Sequence, residues 1–141
     1  MKLLKSFRTE SEEETIALGR ELARDLTGVV LLIGNLGAGK TTLTKGIVEG
    51  LGAGTADAVS SPTFTLVHRY GDVSHVDLYR LDEAREVETL GLEDLFAEGG
   101  VVLLEWAERF PELLPAERTE IRIRALEDDV REIEVRRIPL S

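Results

Sequence analysis

Gly34-Asn35-Leu36-Gly37-Ala38-Gly39-Lys40-Thr41 satisfies every fixed position of the pattern Gly-x-x-x-x-Gly-Lys-Ser/Thr. Immediately before it, Val29 to Ile33 is an unbroken apolar run that suits a strand covered on both faces. Immediately after it, Thr41 to Leu51 carries good helix formers, with Gly52 placed to cap the C-terminus. The order strand, glycine loop, helix is that of a phosphate-binding loop. Gly37 and Gly39 let the backbone bend until successive N–H groups face one point, and the helix adds the positive end of its dipole there. A polyphosphate is the natural occupant. Lys40 supplies a mobile cation for the β- and γ-phosphates of ATP, and the Thr41 hydroxyl is a candidate ligand for Mg2+. The alternative, a glycine-rich turn with an incidental lysine, is disfavoured by the flanking strand and helix.

Outward from this loop the chain alternates helix and strand signals. Ser11-Glu12-Glu13-Glu14 has the form of a capping box, after which Ile16, Leu22, Ala23 and Leu26 recur at helical spacing until Gly28. Thr63 to Tyr70 and Ser74 to Arg80 are β-prone runs separated by the turn pair Gly71-Asp72. Asp82 to Leu90 returns to helical spacing. Val101 to Leu104 is a second buried-strand run, and Thr119 to Ala125 and Val130 to Ile138 alternate apolar with charged residues, the pattern of a half-solvated hairpin. The expected fold is therefore α/β: a P-loop NTPase-like three-layer fold with a parallel core sheet and antiparallel edge strands. One domain spanning residues 1–141 is expected from the length. No apolar run approaches the roughly 20 residues needed to cross a bilayer, so a soluble, cytoplasmic protein without membrane contact is expected.

Composition narrows the chemistry. The chain has no cysteine, which removes disulfides, thiolate metal sites and thiol nucleophiles. Its formal charge of −10 opposes independent binding to a nucleic acid backbone, so any role near nucleic acid calls for a partner. Guanine-specific relatives of such loops read the base with Asn-Lys-x-Asp, and the only Asn here, Asn35, already sits in the loop. Adenine is the expected base. There is no Gln to position water as small GTPases do, which predicts slow hydrolysis by the chain alone.

A magnesium site needs a further acid. The run Val101 to Leu104 delivers Glu105 to the C-terminal end of its strand, where ligands gather in open α/β sheets. Glu105 is the candidate metal-side acid, acting through a metal-bound water; the alternative is a capping carboxylate for a helix starting near Ala107. Asp77 interrupts the strand-like run His75-Val76-Asp77-Leu78-Tyr79-Arg80, where a carboxylate has low intrinsic preference. It either orients the attacking water or the metal shell, or it faces solvent beside an arginine. Ser60 to Thr65 offers hydroxyls within reach of a γ-phosphate, as switch segments do, or is an ordinary Pro-containing strand entry. His68 and His75 lack a spaced ligand set and are expected as hydrogen-bonded strand histidines. Trp106 either covers the site or packs.

Taken in order, Gly34 to Thr42, Ser61-Pro62-Thr63-Phe64-Thr65-Leu66-Val67, His75-Val76-Asp77-Leu78-Tyr79-Arg80-Leu81 and Leu104-Glu105-Trp106 resemble the TsaE (YjeE) family, over a stretch from about Leu18 to Glu105. The resemblance implies an ATPase that works with TsaB and TsaD to make threonylcarbamoyladenosine beside the anticodon of tRNA, which it meets only through that complex. It implies that Asn35, Leu36, Gly37, Ala38, Gly39, Lys40, Thr41 and Thr42 bind the nucleotide. It further implies that Thr41 and Glu105 face the magnesium, and that Lys40, Asp77 and Glu105 carry catalysis. Asp129-Val130-Arg131-Glu132 only loosely matches the Gly-Arg-Glu often found there, which gives little ground for assigning Arg131 to the nucleotide. Arg80 or a partner residue is expected to complete the catalytic set. A small-molecule kinase and a non-catalytic, nucleotide-gated interaction module are the competing readings. The kinase lacks an arginine-rich lid between Leu51 and Val101, and the module would need no ATP cleavage to support one round of partner function.

Overall fold

The computed structural model describes residues 4–35, 37–55, 59, 67–88 and 90–138. The strands are β1 (Leu4–Thr9), β2 (Gly28–Ile33), β3 (Val67–Tyr70), β4 (Val73–Asp77), β5 (Val101–Glu105), β6 (Arg118–Ala125) and β7 (Arg131–Ile138). The helices are α1 (Glu12–Ala23), α2 (Lys40–Gly50), α3 (Ala84–Glu88) and α4 (Leu92–Ala97), with short 3-10 turns at Ala107–Arg109 and Pro111–Leu113. All seven strands join one sheet in the order β1-β7-β6-β2-β5-β4-β3. β2 lies parallel between β5 and β6, and β4 is parallel to β5. β7, β1 and β3 add antiparallel pairings outside that block.

The apolar run of β2 explains its central place. Val30, Leu31 and Leu32 are each at most 1% exposed, and burying such side chains contributes about 1.5–3 kcal/mol apiece. Val30 and Leu32 join the cluster under α1 and α2, whereas Val29 and Leu31 join the cluster on the opposite face with Val87 of α3 and Leu92 of α4. Three layers result, as the sequence predicts.

The details depart from the sequence pattern in four places. The β6–β7 hairpin forms, but it is not the edge: β1 pairs along β7 from Leu4↔Arg136 to Thr9↔Arg131. β1 carries no apolar alternation because an outer strand is held by backbone hydrogen bonds that any sequence can make. Its main apolar anchor is the partly buried Phe7. Ser11 caps α1, accepting from the Glu14 amide at 3.1 Å, while the Glu14 carboxylate returns to the Glu10 amide at 3.0 Å rather than to the cap itself. α1 stops at Ala23, and Leu26 is buried beyond its end; the buried stripe is Thr15, Leu18, Gly19, Leu22 and Ala23. The helical signal from Asp82 to Leu90 is taken up by α3, which ends before the left-handed Gly91 (φ 71°), and α4 starts afresh at Leu92.

α1 and α2 cross on glycines. A Cβ at Gly19 would lie 2.5 Å from the Leu43 carbonyl oxygen, one at Gly50 2.7 Å from that of Arg20, and one at Gly46 would collide with that of Ile16. α2 begins at the glycine loop, with Lys40 as its first residue. Gly46→Ala is expected to lower stability by about 2 kcal/mol: overpacking costs roughly 3 kcal/mol, and the better helix propensity of alanine returns about 1. A urea unfolding midpoint equal to that of the native chain would show that the helices separate freely.

Candidate functional site

The loop between β2 and α2 turns on the positive φ of Gly37 (79°) and Gly39 (109°). Gly34 packs so closely against β6 that a Cβ there would stand 2.7 Å from the Ile123 carbonyl. The Ala38 amide closes the turn onto the Asn35 carbonyl at 3.0 Å, and no side chain caps α2 at Gly39. The first amides of α2 are left without acceptors in their own helix.

Lys40, the first residue of α2, is folded inward. Its side chain is 6% exposed, and its ammonium makes no hydrogen bond among the described residues. It lies 3.7 Å from Glu105 Oε1 and 4.0 Å from the centre of the Trp106 ring. A buried ammonium with three unused donors is costly unless a ligand satisfies them. Trp106 holds its ring there through a left-handed backbone (φ 66°) and tilts against Tyr79 at 5.0 Å. Covering the ammonium is thus its observed role, a cation–π contact that gains strength where water is excluded.

Parallel pairing of β4 with β5 sets Asp77 beside Glu105. Glu105 is 4% exposed and caps nothing, since Trp106 precedes the 3-10 turn at Ala107 and that turn has no side-chain cap. Asp77 accepts a hydrogen bond from the Tyr79 amide at 2.9 Å. Burial pushes the Asp77 carboxyl above its ordinary value of 3.8 and the neighbouring Glu105 adds to the rise, against the Tyr79 amide, His75 and Lys40. Asp77 is half-buried beside Glu105, with no arginine ion pair among the described residues.

Gly37, Gly39, Lys40, Thr41, Thr42, Asp77, Glu105 and Trp106 line one hollow of about 270 Å³, joined by Glu12 and Arg131. Asn35 and Ala38 line an adjoining hollow of about 410 Å³ that shares Gly37. Leu36 and the hydroxyl segment Ser60 to Thr65 lie outside the described residues. The arginine lining the hollow of Lys40 is Arg131; Arg80 is exposed and does not line it. A larger hollow of about 640 Å³, between α4 and the turn at Pro111–Leu113, is lined by Glu88, Glu93, Asp94 and Glu112 with no cation. Its charge is wrong for phosphate, so size does not mark the site here.

Among the described residues no group of three or more His, Cys, Asp or Glu is gathered to hold a metal. Magnesium takes one or two protein oxygens and completes its shell with water and phosphate. The Thr41 hydroxyl and the Glu105 carboxylate are such hard oxygen donors on one hollow.

Both histidines are hydrogen-bonded strand residues as expected, but the sequence did not show that the partner of His75 is Glu105. His68 is the expected strand histidine, with Nδ1 3.3 Å from the Tyr70 hydroxyl. His75 is fully buried and hydrogen-bonds through Nε2 to Glu105 Oε2. The available signal was the spacing of His75 and Asp77, two apart on one strand and hence on one face.

The family model for the threonylcarbamoyl adenosine biosynthesis protein TsaE matches residues 9–133, a longer stretch than the sequence motifs mark out. A Bacillus subtilis protein named tRNA threonylcarbamoyladenosine biosynthesis protein TsaE is 46% identical over 139 residues, covering 94% of this chain and 85% of that protein. An Aquifex aeolicus protein of the same name is 43% identical over 115 residues, covering 77% and 81%. The crystal structure of Bacillus subtilis YdiB superposes with a TM-score of 0.78 at 38% identity, covering 98% of this chain and 88% of that one.

Proposed function

The chain belongs to the TsaE family, and from that premise we propose that it is a magnesium-dependent ATPase of the cytoplasm. In this reading it acts with TsaB and TsaD and supports threonylcarbamoyl modification of the tRNA adenosine next to the anticodon. The observation that carries the ATP site is the buried Lys40 ammonium, held without a hydrogen bond at the open N-terminus of α2. The β- and γ-phosphates are the ligand whose oxygens would satisfy both the ammonium and the loop amides.

Thr41 and Glu105 would hold the magnesium, which supplies neutralisation of phosphate charge. Asp77, half-buried at the wall of the same hollow, accepts a hydrogen bond from the attacking water; its raised pKa makes it a stronger base than an exposed aspartate. Arg131 adds a cation at the mouth of the hollow. The formal charge of −10 supports the indirect route to tRNA through partners.

Phosphate release and nucleotide affinity in two acid variants test the assignment. Glu105→Ala is expected to weaken the magnesium dependence of binding and suppress turnover, with ATP preferred over GTP throughout. Asp77→Asn is expected to keep ATP affinity and lose turnover by roughly a hundredfold, the usual scale for a general base. It should not lose stability. An aspartate with a raised folded pKa stabilises the fold most below pH 3.8, and that contribution is lost as pH rises through the raised value, so at neutral pH the charged carboxyl is a penalty that the amide removes. Normal hydrolysis by both variants would show that other groups are the working acids.

A further inference from the structure

We propose that His75 is the positioning residue for Glu105, holding one carboxylate oxygen so that the other is kept for the metal side and off the Walker lysine. The proposal deepens the reading of Glu105 given above and rests on it. His75 is 0% exposed, on β4, with Leu103 of β5 as its register partner. An imidazole buried this deeply costs free energy unless its polar atoms are used. Its Nδ1 has no partner among the described residues, and its Nε2 bonds Glu105 Oε2. Since a carboxylate only accepts, the proton of this bond sits on Nε2.

The consequence lies in what Glu105 does with its other oxygen. Oε1 stands 3.7 Å from the Lys40 ammonium, longer than the 2.7–2.9 Å or so of a direct charge-assisted hydrogen bond. The terminal torsion of a glutamate is soft and broad. Released from His75, the carboxylate would swing onto Lys40 and close that gap. Such a direct ion pair would occupy both the cation meant for phosphate and the acid meant for the metal shell. A purely structural role would be met better by a leucine or valine, like the same-face neighbours Val73 and Leu103.

The test follows magnesium titrations of the ADP complex by the fluorescence of Trp106, the only tryptophan. His75→Leu is expected to raise the magnesium concentration for half-saturation about tenfold or more, the scale seen when a partner of a metal ligand is removed. His75→Gln, whose amide can donate from a similar position, is expected to recover most of it. In a Glu105→Gln background, His75→Leu should cause no further change. Independently of metal, nitrogen NMR of the native chain should show the proton on Nε2, with the ring resonances shifting in Glu105→Gln. Thermal melting separates a general loss of fold, which would impair the Leu and Gln variants alike. The proposal is overturned if His75→Leu titrates like the native chain, or if its effect persists undiminished without the Glu105 carboxylate. If Glu105→Gln alone takes up magnesium normally, the metal-side reading of Glu105 fails and the proposal falls with it.

Discussion

Lys40→Ala is expected to lower ATP affinity at least about a hundredfold and to abolish turnover, with the fold retained. Two charge-assisted hydrogen bonds from the ammonium to phosphate, at about 1.5–3 kcal/mol each, amount to roughly 3 kcal/mol or more, which is two decades in affinity. Part of that gain is offset in the free protein, where the ammonium already lies 3.7 Å from Glu105 and 4.0 Å from the Trp106 ring. The offset is incomplete, because none of these contacts is a hydrogen bond. Alanine at this position leaves Glu105 with His75 as its remaining partner, so a modest fall in melting temperature is expected while the sheet persists. Calorimetry checks the prediction, and native ATP affinity in this variant would remove Lys40 from the site.

The second large effect is expected in a reconstituted system containing TsaB, TsaD, tRNA and a threonylcarbamoyl donor. ATP cleavage by the isolated chain should be slow and should rise steeply when the partners are added. Supplying a missing arginine raises turnover by about 10³ to 10⁵ in other phosphate-loop proteins, which bounds the stimulation. Repeated threonylcarbamoyl transfer should require this chain, fail with Lys40→Ala, and stop after about one round with Asp77→Asn if binding alone suffices to dock. Transfer over many turnovers with this chain omitted, or with Lys40→Ala in its place, would end the tRNA-modification reading and leave the ATP site standing. Sustained transfer with an Asp77→Asn chain that binds but does not cleave ATP would instead favour a nucleotide-gated docking module.

Much of the fold was legible because its signals are local. A Walker pattern between an apolar run and a helical run specifies strand, loop and helix without reference to anything distant, and β2, the glycine turn and α2 follow it closely. The hairpin turn at Gly71-Asp72 is equally local and is found where expected, between Tyr70 and Val73. β1 was not legible, because an outermost strand needs little apolar pattern and is recruited by the exposed backbone edge of β7.

The site divides along the same line. The sequence by itself determined the candidate groups that contiguous motifs mark: the loop glycines, Lys40, Thr41 and the acid ending a buried strand. Only the tertiary structure decided what those groups touch. Parallel pairing of β4 with β5 brings Asp77 beside Glu105 and His75 within reach of the same carboxylate, across a separation of about thirty positions that no local pattern records. The β6–β7 hairpin likewise carries Arg131 to the hollow of Lys40, leaving Arg80 outside it. Helix and turn formation are governed by neighbours along the chain, whereas burial, electrostatic coupling and the choice of hydrogen-bond partner depend on strand order and register, which are settled only when the whole sheet assembles.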